Sequence, residues 1–378
     1  MASLSSWSDL PEEILAKIKT HLESSDITRF RCVCPSWRSS TPILKTTFEF
    51  PDVLLDKKTE KVSHLSQITI YCFQPLIQPS TSPPSWLVAI EFVDGKRRFL
   101  NALTSSRIES NPALIPKELN LCNFHITELH KVCGVQNEDA TRKALLVSSQ
   151  YYDETLLVVC ASELVFYKLE NNHWIVLQEI DGMEFTDIEL YQGRVYGVSY
   201  EGHTVVFDSS LDAIEIGPHL LPDDEDDACF HFIESSGDLF VVEFNELNEN
   251  GARNRSRSLF IYLLGKNELL PVKIHKLDVE ENRWVEVTHL NDKVFVLALE
   301  FPWSFSLPSQ QIPGGMKNCI ISLAIDSDDE YDSDDDTFVP ETYSVWDIER
   351  NKHDGLFQEF GRLFWPPPNW LITGNQWE

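Results

Sequence analysis

The 378-residue chain is poor in basic residues: 31 Lys and Arg stand against 60 Asp and Glu, a net charge of −29. Such a balance repels phosphate backbones and excludes sequence-independent nucleic-acid binding. Long uninterrupted apolar runs are also missing. The longest uncharged window, residues 66–90, is broken by Pro75, Pro79, Pro83 and Pro84, which bars it from being a membrane helix. Residues 1–10 carry no basic group and lead into a charged segment rather than an apolar one, unlike a secretory signal. A soluble chain of the cytoplasm and/or nucleus is therefore expected, without membrane or nucleic-acid partners. The eight cysteines form no Cys-x-x-Cys pair, and no histidine sits at zinc-ligand spacing from Cys32 and Cys34; reduced, mostly buried thiols are expected. Catalytic signatures are equally absent. There is no Gly-x-Ser-x-Gly elbow, Gly-rich phosphate loop or His-Glu-x-x-His pair, and Asp326-Ser327-Asp328-Asp329-Glu330 fails as a calcium loop because Tyr331 stands where glycine is needed. No catalytic residue, metal or cofactor is expected.

What is present divides near residue 45. The first 45 residues hold six basic and five acidic groups, so the remainder carries −30. This first segment reads as helical. Pro11 suits a first helical turn, and Glu12 and Glu13 follow where the helix dipole favours negative charge. Ile14, Leu15, Ile18 and Leu22 then fall on one face. Ser24 or Ser25 can cap a second short helix through Ile27 and Phe30, and Pro35 can open a third carrying Trp37 and Arg38. Three helices in so few residues bury too little surface to be secure alone, so the unit wants a partner.

From residue 46 the pattern becomes short apolar runs, at 67–73, 86–92, 144–147, 156–159, 164–169, 195–198, 205–207, 239–244, 259–264 and 294–299, divided by Gly, Asn, Asp and Pro. An all-β region is expected. It repeats weakly. Gly193-Arg194-Val195-Tyr196, Gly237-Asp238-Leu239-Phe240 and Asp292-Lys293-Val294-Phe295 each place a turn before a strand with an aromatic in one register. The segments 168–174 and 276–284 share a second pattern, a strand, a polar turn and a strand opening with Trp174 or Trp284. Intervals of roughly 40–55 residues are those of propeller blades, whose sheets bury their faces by stacking on neighbours. A pair of unrelated sandwiches is the alternative. Gly202-His203 and Trp346-Asp347 are too far apart to mark one blade, and Gly314-Gly315 is the sole glycine doublet. Any propeller is therefore divergent.

Two acidic insertions stand out, at 223–227 and 326–336; solvated loops are expected there. Within the second, Ser327 precedes Glu330 by three and Ser333 precedes Asp336 by three, a context that suits acidophilic kinases, although a solvated loop without function is the simpler reading. Arg253-Asn254-Arg255-Ser256-Arg257 is a dense basic run that either signals nuclear import or balances Glu246 and Glu249. Trp303 and Phe305 either line a ligand channel or belong to a core.

The helical segment carries the most specific pattern. Leu10-Pro11-Glu12-Glu13-Ile14-Leu15, Ile18, Leu22, Asp26-Ile27, Phe30 and the ending Val33-Cys34-Pro35-Ser36-Trp37-Arg38 closely resemble the F-box. The resemblance implies an α+β multidomain chain: a three-helix F-box at 1–45, then a divergent β-propeller at 46–378. It further implies a substrate-recognition subunit of an SCF-type (Skp–cullin–F-box) ubiquitin-protein ligase. Leu10, Pro11, Ile14, Leu15, Ile18, Leu22, Ile27, Val33, Cys34, Trp37 and Arg38 would bind the Skp-type linker and through it cullin, while the β domain holds a target protein. Its charge suits a basic target. The remainder is similar to a group of plant F-box proteins with a long β domain, at Trp284-Val285-Glu286-Val287, Asn318-Cys319-Ile320-Ile321 and Trp365-Pro366-Pro367-Pro368-Asn369-Trp370. That tail reads as a strand anchor or as a proline-rich ligand. The rival readings are a propeller enzyme or carbohydrate-binding protein with a helical appendage, and an F-box protein acting outside ubiquitination.

Overall fold

Apolar residues run consecutively, not alternately, in segments such as Leu156–Cys160, which requires both faces of a strand to be covered. The computed structural model meets that requirement with stacked sheets. It describes residues 10–19, 30, 33–40, 64–77, 85–93, 96–103, 108, 123–136, 141–148, 151–152, 155–160, 164–168, 173–176, 183–221, 228–244, 272–298, 303–312, 316–324, 342–347, 352–356, 361–364 and 371.

Two helices come first, α1 (Glu12–Lys19) and α2 (Pro35–Ser40), packed against each other. The middle helix expected of the F-box lies outside the described residues except for Phe30, which is helical. An eight-stranded sheet follows. It contains β1 (His64–Pro75), β2 (Trp86–Val93), β3 (Lys96–Asn101), β4 (Phe124–Gln136), β5 (Thr141–Val147), β6 (Leu156–Cys160), β7 (Leu164–Lys168) and β8 (His173–Val176), in the order β3-β2-β1-β4-β5-β6-β7-β8. A four-stranded sheet holds β9 (Phe185–Tyr191), β10 (Arg194–Ser199), β11 (Thr204–Phe207) and β12 (Ala213–Ile216). A second holds β13 (Cys229–Ser235), β14 (Asp238–Phe244), β15 (Lys273–Asp278) and β16 (Arg283–Glu286). The last comprises β17 (Lys293–Ala298), β18 (Trp303–Pro308), β19 (Cys319–Ala324), β20 (Thr342–Asp347) and β21 (Lys352–Leu356), in the order β18-β17-β19-β20-β21 with β17 and β19 parallel. A short helix, α3 (Gly361–Phe364), closes against β2.

These sheets form a ring. The inner strands β4 and β5 pair only at residues 133–136 and 141–144, whereas β1 and β4 pair from His64 to Pro75, so the eight-stranded sheet is two blades joined at their inner edges. Strand β5 then lies against β9, β9 against β13, β13 against β18 and β18 against β4. The described strands thus make five blades: I (β1–β4), II (β5–β8), III (β9–β12), IV (β13–β16) and V (β17–β21).

Side-chain alternation explains the stacking. Leu157 and Val159 face the space between blades I and II, while Leu156 and Val158 face that between II and III. In β14, Leu239 and Val241 fill the III/IV space, and Phe240 and Val242 the IV/V space. In β17, Phe295 and Leu297 join the IV/V cluster, and Val294 and Val296 the V/I cluster with Ile68, Ile70 and Trp303. Each strand feeds two interfaces because its side chains point alternately to opposite faces. Every fully buried Val, Leu, Ile or Phe contributes about 1.5–3 kcal/mol to this closure.

The weak repeats acquire meaning here. Gln192-Gly193 and Ser236-Gly237 have positive φ throughout (49° and 81°, 55° and 82°), the two-residue hairpins that carry inner strands β9 and β13 into β10 and β14. Tyr196 and Phe240 then both face the following blade. Phe295, third in the series, faces the preceding blade instead, with its ring 5.3 Å from that of Phe240. The reason is topological: β17 passes the chain inward to β18 rather than receiving it from an inner strand. The second recurrence is the outer hairpin of blades II and IV, pairing Tyr167 with Trp174 and Leu277 with Trp284.

Trp303 and Phe305 are core residues, 2% and 1% exposed in the V/I cluster. Strand β4, which no apolar run marks in the sequence, carries His125, Glu128, His130 and Lys131 and pairs with β1 along one side and with β5 only at residues 133–136. The run 259–264, the basic run 253–257, both acidic insertions with Ser327 and Ser333, and the tail 365–370 lie outside the described residues. No described helix is long and apolar enough to cross a membrane.

One glycine in β10 is required by close approach. A Cβ on Gly197 would lie 2.8 Å from Phe185 Cε1, and Phe185 is itself buried in the II/III cluster and cannot swing away. Gly197→Ala is expected to cost about 1–3 kcal/mol by overpacking. In urea unfolding the midpoint should fall at unchanged slope.

Candidate functional site

The helical segment positions its apolar residues unequally. The Pro11 carbonyl accepts hydrogen bonds from the Ile14 and Leu15 N–H groups at 3.0 and 3.1 Å, so Pro11 precedes α1 and opens its hydrogen-bond ladder. Leu15 is 2% exposed and Phe30 4%, and the half-buried Trp37 ring packs 4.4 Å from that of Phe30. Ile14 and Val33 point outward at 45% and 52% exposure. Leu10, Ile18, Cys34 and Trp37 are half-buried, and Pro11 and Arg38 exposed. Leu22 and Ile27 lie outside the described residues. Exposed β-branched residues on a small helical unit are what a partner-completed core requires.

The start of α2 also shapes one thiol. The Ser36 hydroxyl, 3.0 Å from Cys34 Sγ, and the Trp37 N–H lower the Cys34 pKa below the ordinary thiol value. Burial acts in the opposite direction elsewhere, pushing Cys72 to about 12 and Cys133 to about 11. All described cysteines are free thiols, and those of the β domain are buried.

A second cluster, which the sequence does not announce, lies on the inner strands. Lys143 of β5 sits 3.0 Å from Asp187 Oδ1 and 2.9 Å from Glu189 Oε2, both on β9. All three are less than 8% exposed. Asp187 Oδ1 also accepts from the Ile188 N–H, and its Oδ2 accepts from the Phe232 N–H on β13 at 2.8 Å. Glu189 Oε1 accepts from the Leu190 N–H. One ammonium and two carboxylates therefore tie blades II, III and IV together around the axis. Burial opposes the charge on Lys143, but the Asp187 and Glu189 carboxylates outweigh it and hold the ammonium above the ordinary lysine value. Burial likewise opposes ionisation of Glu189, yet the Lys143 ammonium and the Leu190 N–H keep its carboxyl below the ordinary glutamate value. Burial lowers His130 itself below the ordinary histidine value. Converging carboxylates, lysine and histidine would suit an enzyme, but each carboxylate oxygen of Asp187 and Glu189 is already engaged. The arrangement braces the ring.

A small helical unit followed by a ring of stacked blades defines an F-box and β-propeller protein. The chain belongs to the KIB1-4 beta-propeller family, whose model matches residues 63–347, and the F-box domain model matches residues 7–45. It is 25% identical to the Arabidopsis thaliana F-box protein At2g17036, over 98% of this chain and 96% of that one. It is 26% identical to F-box protein SKIP23 of the same plant, over 97% and 96%, and 25% identical to F-box/kelch-repeat protein At2g24250, over 82% and 79%. A solved structure, a lignostilbene dioxygenase of Pseudomonas brassicacearum, is similar over 78% of this chain and 80% of that one at 11% identity and a TM-score of 0.22, too low a likeness to bear on chemistry. F-box domains generally bind Skp1-type adaptors, F-box proteins typically act as substrate receptors of SCF ligases, and proteins with this domain pair are generally non-catalytic adaptors.

Proposed function

We propose that this chain is the substrate-recognition subunit of an SCF-type ubiquitin-protein ligase in the cytoplasm and/or nucleus. Residues 1–45 dock on the Skp-type linker and through it on cullin, and the propeller holds a target protein. The observation that carries this reading is the outward placement of Ile14 and Val33 on a segment matching the F-box domain. Leu10, Pro11, Ile18, Leu22, Ile27, Cys34 and Arg38 extend the contact, and Leu15 and Trp37 act from beneath by holding the helices in register. The chain contributes proximity and supplies no nucleophile or base, keeping a target lysine near the conjugating enzyme and raising its effective concentration. The charge of −30 beyond residue 45 favours a basic target, whose capture weakens as salt screens the attraction.

The test uses Ile14→Glu/Val33→Asp in the full chain. Affinity for a recombinant Skp-type linker, measured by interferometry, is expected to fall at least about 100-fold, as for two central apolar anchors. Thermal stability should hardly move, because neither side chain is buried in this chain. Undiminished linker binding by the double variant would refute the docking assignment.

A further inference from the structure

At the rim of blade III the chain brings two histidines to one glutamate. His203 immediately precedes β11, Glu215 lies on β12 and His219 follows it after Gly217 and Pro218. Glu215 Oε1 is 3.2 Å from His203 Nδ1 and 2.8 Å from His219 Nε2. The two imidazole centroids are 4.0 Å apart, and the three donor atoms all lie within 4.8 Å of one another.

We propose that His203, Glu215 and His219 bind one divalent transition-metal cation, with Zn²⁺ the closest chemical match. Two imidazole nitrogens and one carboxylate oxygen are a three-ligand set for tetrahedral zinc, leaving the fourth position to water. Donors about 2.1 Å from a tetrahedral ion stand about 3.4 Å apart. The His203–Glu215 distance already matches, and the exposed Glu215 and His219 side chains, 55% and 40% accessible, are free to rotate so that the 2.8 Å His219–Glu215 pair opens and the two imidazole nitrogens, which lie within 4.8 Å of each other, settle at the same spacing. Imidazole ligands favour Zn²⁺, Co²⁺, Ni²⁺ or Cu²⁺ over Ca²⁺ or Mg²⁺.

The surroundings support the ligand set independently. With Nδ1 on the metal, His203 Nε2 lies 3.8 Å from the exposed Glu201 carboxylate, near enough for a small side-chain rotation to bring in the outer-shell hydrogen bond that orients metal-bound histidines. The backbone is fixed on both sides. His203 N–H donates to Ser199 Oγ at 3.1 Å, and its carbonyl accepts from the Ser199 N–H at 2.9 Å. Blade IV holds the other side. Trp284 Nε1 donates to Thr204 Oγ1 at 2.7 Å, the Trp284 N–H to the Gly217 carbonyl at 3.2 Å, and Asn282 Nδ2 to the Glu215 carbonyl at 3.3 Å. A ligand constellation on anchored strand ends is pre-organised for binding.

The test uses the full chain without a histidine tag, stripped with chelator and titrated with Zn²⁺ by calorimetry and with Co²⁺ by absorbance. The wild type is expected to bind one equivalent, with affinity reduced at least about 10-fold in Glu215→Gln and in His219→Gln, and a similar loss in Glu201→Gln through the outer shell. These positions are exposed or half-buried, so circular dichroism should stay unchanged and any loss reports the site. The Co²⁺ spectrum should show visible ligand-field bands without thiolate charge transfer. A thiolate band, or Zn²⁺ binding equally strong in a His203→Ala/His219→Ala variant, or no stoichiometric binding, would overturn the proposal.

Discussion

Lys143→Met is expected to lower the free energy of unfolding by about 3–5 kcal/mol, because it strands two buried carboxylates without their cation. Asp187 and Glu189 are 6% and 7% exposed, and Lys143 is the ammonium within 3.0 Å of both. Part of the loss returns in Lys143→Met/Asp187→Asn/Glu189→Gln, since removing all the charges removes the stranded ones as well. The pH profile is the sharper readout. Glu189 is depressed in the folded state, so its stabilising share is present above the unfolded glutamate value of about 4.3 and is lost as pH falls through the folded value. Lys143 is raised, so its share is complete below the unfolded lysine value of about 10.4 and is lost as pH climbs through the folded value. The stability gap between wild type and Lys143→Met should therefore be widest near neutrality and narrow at both extremes. Urea unfolding followed by tryptophan fluorescence across pH measures it. A gap of under about 1 kcal/mol at pH 7 would mean that the triad does not brace the ring.

Trp303→Ala should cost about 3–5 kcal/mol, the range for emptying a large aromatic site. This residue joins the last blade to the first: its indole fills the V/I interface among Ile68, Leu100 and Leu363, and its Nε1 donates to the Ala102 carbonyl at 3.0 Å. Trp303→Phe refills most of the volume but removes the indole's hydrogen bond to that buried carbonyl, for a smaller cost of about 1–3 kcal/mol. The order alanine worse than phenylalanine, at an unchanged urea slope, marks loss of packing at ring closure rather than a changed denatured state. If Trp303→Ala were no worse than Val279→Ala on the exposed β15–β16 turn, the V/I interface would not be what closes the propeller.

Both positions show where the sequence was readable and where it was not. Trp303, beside Phe305, reads in sequence as core more readily than as a channel lining, and the arrival of β1–β3 from more than two hundred residues earlier decides for core. Lys143 opens the run 144–147 as an ordinary charged strand end. Its role depends on β9, because strands adjacent in the ring need not be adjacent in the chain. The hairpins at Gln192-Gly193 and Ser236-Gly237 were legible because a turn is local chemistry, whereas Phe295 shared their spacing and yet faces the other interface. Strand β4 is not legible in the sequence because its His125, Glu128, His130 and Lys131 interrupt the apolar pattern that marks a strand.

The sequence by itself determined the elements whose physics lies within a few residues: the Leu10 to Arg38 pattern of the F-box, the β character of the remainder, the two-residue turns and the outer hairpins ending in Trp174 and Trp284. Tertiary structure decided the number of blades, the interface each strand face fills, which apolar residues of the helical unit stay open, and the meeting of Lys143 with Asp187 and Glu189 and of His203 with Glu215 and His219. The division follows from distance along the chain. Turn and cap preferences act through neighbouring backbone groups, but a strand's partner across a blade interface is chosen by ring closure, which no local pattern encodes.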